Sequence, residues 1–317
     1  MNKFKVVFFG TPEFAASILE LLLLEEHLHV VLCVSKMDSP GDRGKLTQSA
    51  VKKLSDERNI PCLQPASLKD GRVAQSIASL NPDFIVVAAY GKILGLDILK
   101  IAPCLNVHAS ILPKYRGASP IQAAILADEK YSGVSIMQMD EGLDTGDVLA
   151  NVELNILGKK ASTLSQEMAQ IGAKALIEVL YTYDDIKPIA QNDANASYCS
   201  LIKKRDGCIS LEEDAKDVHL KFLAYDTWPG LYFARGTKLI DCERLVDIAR
   251  INKIADRAKS LTLPGQILDI GEDDFVLAFG KGALCIKSIQ APGRRACSGS
   301  AYLNGRRLGV GQLLDNL

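Results

Sequence analysis

The chain has 317 residues, long for one domain and suited to two with a core each, and is 48% apolar and 24% charged. That is ordinary globular composition, which excludes a disordered or fibrous chain, and no apolar run approaches the ~20 residues needed to span a bilayer. Lys and Arg (37) nearly balance Asp and Glu (38) for a formal charge of −1, so net charge says nothing about nucleic acid.

Lys5 to Phe9 reads as a buried parallel strand. The apolar run that Met1–Lys5 leads into is too short for the core of a secretory signal and lacks a cleavage motif, so a cytoplasmic protein is expected. Gly10-Thr11-Pro12 turns the chain into a helix carrying Phe14, Ile18, Leu19, Leu22 and Leu23. Strand, turn and helix suit a nucleotide-binding fold, but no Gly-x-Gly-x-x-Gly occurs anywhere, which argues against a dinucleotide-dependent dehydrogenase. Val30–Val34 is a second strand. A polar loop from Ser35 to Lys45 follows, with glycines flanking Arg43, and reads as a mobile surface connection. A helix over Thr47–Arg58, a brief strand over Pro61–Leu63, a helix over Asp70–Leu80 and an apolar strand over Asp83–Ala89 come next. The last of these runs into Tyr90-Gly91, where Tyr90 reads either as a wall for a flat heterocycle or as a core lid.

After a helix over Leu94–Ile101 comes the most informative stretch, Cys104 to Pro120. Strand alternation puts Asn106 and His108 on one face, at a strand end beside a loop, where open α/β sheets place ligands. About 30 residues on, Asp140–Asp147 forms an acidic, glycine-hinged loop able to close over that spot. Spacing alone leaves structural and catalytic roles open for Asn106 and His108. Of four histidines, His27 and His29 sit at a helix-to-strand turn and read as solvent-facing, and His219 as helix surface, so His108 is the one acid–base candidate. The eight cysteines (Cys33, Cys62, Cys104, Cys199, Cys208, Cys242, Cys285 and Cys297) form no Cys-x-x-Cys pair, so a structural metal site is not expected and reduced thiols are the default.

A helix over Pro120–Asp128, a strand over Gly133–Met139, a return strand over Val148–Ile156 (antiparallel, from the short connection) and an amphipathic helix over Ser162–Tyr181 complete a doubly wound, mostly parallel α/β sheet. Residues 184–200 are polar and read as connecting chain. Beyond a helix over Ala215–Tyr225, five short strands (231–234, 239–246, 265–270, 275–279 and 283–289) suggest a small β-barrel. From Phe275 to Leu314 there is no acidic residue, while Lys281, Lys287, Arg294, Arg295, Arg306 and Arg307 are positive. A one-signed stretch of that length favours an anionic partner.

Asn106-Val107-His108, Ser110-Ile111-Leu112-Pro113, Tyr115–Ile121 and Asp140–Gly146 together resemble the folate-dependent formyltransferases, and among them those acting on tRNA. Phe9–Ala15, Ala89-Tyr90-Gly91, Asp226-Thr227-Trp228-Pro229 and Gly293-Arg294-Arg295 fit as well. Departures are Ile209-Ser210-Leu211, where a tryptophan often follows Ile-Asp, and Glu141 inside the acidic loop. The change in pattern divides the chain into a first domain over 1–187, a linker over 188–205 and a second domain over 206–317; the resemblance makes the first the catalytic domain and the second an OB-like tRNA-binding domain. It implies transfer of a formyl group from 10-formyltetrahydrofolate, as co-substrate and without a metal, to the α-amino group of methionine on initiator tRNA. In that scheme Asn106 and His108 stabilise the developing oxyanion and Asp144 holds His108 in its charged form. Tyr90, Ser110, Ile111, Leu112, Pro113 and Asp140 line the folate site. Arg43 and Lys45 close on the acceptor stem, with Lys204, Arg294 and Arg295 as further tRNA contacts. A monomer without membrane contact is expected. The alternatives are a formyltransferase acting on an amino-sugar nucleotide and a non-catalytic RNA-binding protein on the same fold.

Overall fold

Val6 to Phe9 are all fully buried. A strand with no polar face has to be covered on both sides, and this one lies in the interior of a parallel sheet. The computed structural model describes residues 3–40, 46–244, 250, 254 and 262–314, so Arg43 and Lys45 lie outside the described residues. The chain divides into one unit of Met1–Ala124, Glu129–Leu157 and Thr163–Leu201, and a second of Ile125–Asp128, Gly158–Ser162 and Ile202–Leu317.

Up to Leu80 the elements are β1 (Phe4–Gly10), α1 (Glu13–Leu23), β2 (Leu28–Val34), the ribbon β3 (Ser39–Pro40) with β4 (Leu46–Thr47), α2 (Ala50–Glu57), β5 (Cys62–Leu63) and α3 (Arg72–Leu80). Then come β6 (Phe84–Ala88), α4 (Leu96–Leu99), β7 (Cys104–His108), β8 (Arg116–Gly117), α5 (Pro120–Leu126), β9 (Tyr131–Gln138), β10 (Val148–Asn155), α6 (Ala161–Thr182) and β11 (Tyr198–Cys199). The main sheet has the order β10-β9-β7-β6-β1-β2-β5. From β5 to β7 the pairing is parallel, and β9 and β10 add antiparallel at the far edge. This is the doubly wound arrangement expected from alternating strands and helices.

Helix limits follow local chemistry. α2 begins three residues later than the periodicity suggests because Ser49 caps it, its Oγ accepting the Lys52 N–H at 3.1 Å. α3 stops at Asn81, which takes the left-handed conformation (φ +50°). α4 is a single turn begun at Gly95, shorter than the 94–101 helix expected. One face of the sheet holds a core cluster including Val7, Phe9, Val34, Ile77, Ile85, Val87, Ile98 and Cys104. By alternation along β7, Asn106 and His108 continue the Cys104 face beyond that apolar cluster.

In the second unit β12 (Cys208–Ile209), α7 (Ala215–Ala224), β13 (Leu231–Phe233), β14 (Lys238–Arg244), β15 (Ile267–Ile270), β16 (Phe275–Ala278), β17 (Ala283–Gln290), β18 (Cys297–Ser298) and α8 (Gly299–Arg306) follow one another. The strands pair in the order β12-β13-β14-β17-β16-β15, with β18 on β17. All pairs are antiparallel except β12–β13. The five expected strands are present; β12, β18 and α8 are additions, each too short or too polar to show in the pattern. His219 departs from its expected place on the helix surface. It is half-buried, its ring centroid 6.2 Å from that of Phe222, with Nδ1 buried and unpartnered, and burial pulls its pKa down. The apolar face of α7 is wide, with Val218, Leu220, Phe222, Leu223 and Ala224 all buried, and it takes the imidazole in with them. Among the described residues no helix is long and apolar enough to cross a membrane.

Candidate active site

β7 ends with every residue buried, and a polar side chain there must find polar partners. Asn106 is 8% exposed and His108 5%. Both meet the same group. Asn106 Nδ2 donates to Asp144 Oδ1 at 3.3 Å, and His108 Nδ1 lies 3.7 Å from Asp144 Oδ2. On its other side His108 Nε2 is 3.0 Å from the Tyr115 carbonyl, which can only accept, so Nε2 carries a proton. Nδ1 is the ring nitrogen left to meet a reacting atom or the carboxylate. The Gly117 N–H donates to Asp144 Oδ2 at 2.8 Å. The three expected catalytic side chains therefore converge within the first unit.

The backbone that brings them together takes positive φ at Asp144, Gly117 and Tyr115 (φ +59°). Asp144 is in the left-handed region at φ +54°, a conformation that short polar side chains tolerate and most residues avoid. Gly117 has φ +116°, and a Cβ on it would stand 2.3 Å from the Cys199 carbonyl oxygen. Only glycine permits that close approach, and it lets β8 pair in parallel with β11. Tyr115 is fixed beside them: its hydroxyl donates to Glu129 at 2.9 Å, and Lys114 Nζ donates to the same carboxylate oxygen at 3.0 Å. Burial, and then the Glu129 contact, pushes the Tyr115 hydroxyl up to about 12.

The residues expected to line a folate fall into two groups. Ile111 and Pro113 are half-buried and Asp140 is exposed, so each offers surface to a ligand. Asp140 also braces its own loop, Oδ1 accepting from the Gly142 N–H (2.9 Å) and the Thr145 hydroxyl (2.7 Å). Ser110 is fully buried, its hydroxyl donating to the Lys114 carbonyl at 2.6 Å. Leu112 is 5% exposed in a small cluster with Met137 and Val148. Tyr90 takes the core alternative: it is 1% exposed, edge-on to Phe9 at 5.1 Å, with its hydroxyl unpartnered.

Sequence reasoning missed the supports of this site. The stretch read as connecting chain supplies β11 and also Gln191, whose Nε2 donates to the Asp144 carbonyl (2.9 Å) and the Gly146 carbonyl (2.7 Å). Ser135 was missed too; its hydroxyl accepts the Leu112 N–H at 2.9 Å and lies 2.7 Å from the Ser110 carbonyl, holding the loop that leaves β7. A polar residue in the middle of the apolar run Val134–Met137 is the signal that marks it.

In the second unit Lys204, Arg294 and Arg295 are exposed. In the basic stretch Lys281 is paired with Asp214 at 3.4 Å and Lys287 with Glu243 at 2.7 Å, and Arg306 lies over the Tyr302 ring at 4.5 Å.

Comparisons with known proteins place the chain in a family. A sequence model described as formyl transferase matches residues 3–180, and one described as formyl transferase, C-terminal domain, matches residues 201–307. A methionyl-tRNA formyltransferase of Campylobacter jejuni subsp. doylei is 42% identical over 307 residues, covering 96% of this chain and 97% of the relative. One from Nitratiruptor sp. is 43% identical over 311 residues, covering 97% and 98%. Among solved structures, an N-formyltransferase from Helicobacter canadensis, in complex with folinic acid and dTDP-3-aminofucose, aligns with a TM-score of 0.61 at 18% identity, covering 90% of this chain and 98% of that one. That last likeness concerns the fold. With both formyl transferase regions matched and such identity sustained over nearly the whole length, this chain belongs to the methionyl-tRNA formyltransferase family.

Proposed function

We propose that this chain transfers the formyl group of 10-formyltetrahydrofolate to the α-amino group of methionine esterified to initiator tRNA, the step that readies the aminoacyl-tRNA for translation initiation. The observation that carries the reading is the meeting of Asn106, His108 and Asp144 around one point at the end of β7, in a chain of this family. The folate supplies an activated formyl group on nitrogen. An α-amino group has a pKa near ~8, and esterification of the neighbouring carboxyl lowers it, so a useful fraction is neutral without a strong base. The protein's work is then positioning, charge stabilisation and the movement of one proton.

As the amine adds to the formyl carbon, the carbonyl π pair moves to oxygen. Asn106 has a second amide N–H to give that oxygen, the first being held by Asp144. His108 offers Nδ1–H, since Nε2–H is committed to the Tyr115 carbonyl. Asp144 stabilises the ring while it is charged and accepts the proton lost by the amine, which returns to the folate nitrogen as the old C–N bond breaks. Ile111, Pro113 and Asp140 give side-chain surface to the folate, and Leu112 and Ser110 shape the backbone beneath it. Lys204, Arg294 and Arg295 lie free to meet phosphates, and Arg43 and Lys45 belong to the segment assigned to the acceptor stem.

The purified chain, given 10-formyltetrahydrofolate and methionyl-tRNA, is expected to yield N-formylmethionyl-tRNA, detected by mass after release of the amino acid. Formylation of an amino-sugar nucleotide with none of methionyl-tRNA would overturn the reading in favour of the sugar enzymes on this scaffold, and formylation of neither would favour a binding role.

A further inference from the structure

Arg116 is among the largest fully buried side chains of the chain. A guanidinium so placed needs acceptors for its rigid fork of donors. Gln191 Oε1 accepts from Nε at 3.1 Å and from Nη2 at 2.9 Å. Asp193 Oδ1 accepts from Nη2 at 2.7 Å, and the Tyr198 hydroxyl from Nη1 at 3.2 Å. Burial opposes the charge, and the bonds to Asp193 and Tyr198 more than offset it, so the guanidinium stays protonated.

This fork decides which way the Gln191 amide faces. Its oxygen is drawn to Arg116, so its NH2 group points the other way, where it donates to the carbonyls of Asp144 and Gly146. Those carbonyls bracket Thr145 in the turn where Asp144 holds φ +54°. The same turn aims the Asp144 carboxylate at Gly117, Asn106 and His108. Arg116 adjoins Gly117, so one buried cation and one amide tie both walls of the site together.

We infer that Gln191 is a positioning residue for Asp144: through its two bonds to the Asp144 and Gly146 carbonyls it fixes the turn that presents the carboxylate to His108. The inference rests on the role proposed above for Asp144. A glutamate at this position keeps an acceptor for Arg116 but sets a carboxylate oxygen against two carbonyls, so it tests the donors without stripping the buried cation of its partner. A methionine removes both halves of the link.

The test is single-turnover and steady-state kinetics on Gln191→Glu and Gln191→Met, each also combined with Asp144→Asn, with thermal unfolding as the check on folding. A misplaced catalytic group of this kind costs roughly 100-fold, so kcat is expected to fall by about that factor in either variant while KM for tRNA and for folate stays within about threefold. In the Asp144→Asn background the same substitution is expected to cost less than about threefold, since the group it positions is already lost. A folded Gln191→Glu protein with kcat within about threefold of the parent would overturn the inference, as would the full ~100-fold loss persisting in the Asp144→Asn background. Should Gln191→Met not fold, Gln191→Glu decides the matter. If Asp144→Asn alone retains full turnover, it is the proposed role of Asp144 that fails, and the role of Gln191 falls with it.

Discussion

Replacing Asp144 with asparagine keeps the side chain's shape while removing its charge and one of its two acceptor oxygens, which makes it the sharpest probe of the site. In the folded protein Asp144 Oδ2 is 3.7 Å from His108 Nδ1. Two unit charges at that distance attract by about 4.5 kcal/mol when the effective dielectric constant is about 20. Each ~1.4 kcal/mol is a factor of ten in rate, so losing the whole of that attraction to a charged ring at the transition state would cost roughly three decades of rate, and losing part of it nearer two. Hydrogen bonding adds to the loss. The carboxylate accepts from Gly117 N–H on one oxygen and from Asn106 on the other. A carboxamide can satisfy only one of those donors and must set its own NH2 against the second. The assay is single-turnover formylation of methionyl-tRNA, with folate binding measured separately. The expected result is a rate ~100–1000-fold below the parent with folate affinity little changed. A rate within tenfold of the parent would refute the argument, because even the partial loss worked out above is larger than that.

Three further expectations follow from the same geometry. Gly117→Ala places a Cβ 2.3 Å from the Cys199 carbonyl oxygen in a conformation that costs an L-residue about 1–3 kcal/mol, so turnover is expected to drop at least ~10-fold with a lowered unfolding midpoint; wild-type values in both measurements would contradict the close approach. Glu129 is held below its ordinary 4.5, chiefly by Lys114 and Tyr115. A carboxyl with a lowered folded pKa contributes stability above 4.5 that is lost as pH falls through the folded value, so the acid limb of the unfolding curve should be shallower in Glu129→Gln; superimposable limbs would remove Glu129 from the account. Replacing Arg294 and Arg295 together with alanine should weaken tRNA binding and reduce the salt slope of log K by about 2 while folate binding stays the same; an unchanged slope would show that neither meets a phosphate.

The alternation along Leu105–His108 was enough to put Asn106 and His108 together, because a strand's period of two is fixed by its backbone. The acidic loop was harder. Asp140, Asp144 and Asp147 are chemically equal in the sequence, and only the fold separates them: Asp140 turns back on Gly142 and Thr145, Asp147 is exposed, and Asp144 turns inward at φ +54°. Nothing in the local pattern announces a left-handed aspartate, so the resemblance chose it. Tyr90 shows the opposite case, since small residues before an aromatic suit a ligand wall and a core lid alike, and the ring's edge against Phe9 belongs to the core.

The largest gap between sequence and structure is the stretch after α6, where polarity and asparagines suggest connecting chain. Such composition reports that a segment carries little apolar surface, but not that it carries no contacts. Residues 189–199 add one side of the site: Ile189 pairs with Val148 in an isolated bridge, Gln191 reaches Asp144, and Tyr198-Cys199 pairs with Arg116-Gly117. Their partners lie about 40 to 80 residues away in the chain, a separation over which periodicity carries no information. The one clue in the sequence is on the other side of the contact. An arginine between an aromatic and a glycine, in a loop that leaves a buried strand, has either to reach solvent or to find acceptors inside. Arg116 does the second, and the acceptors it needs are polar residues of the kind that makes residues 189–199 look like a linker.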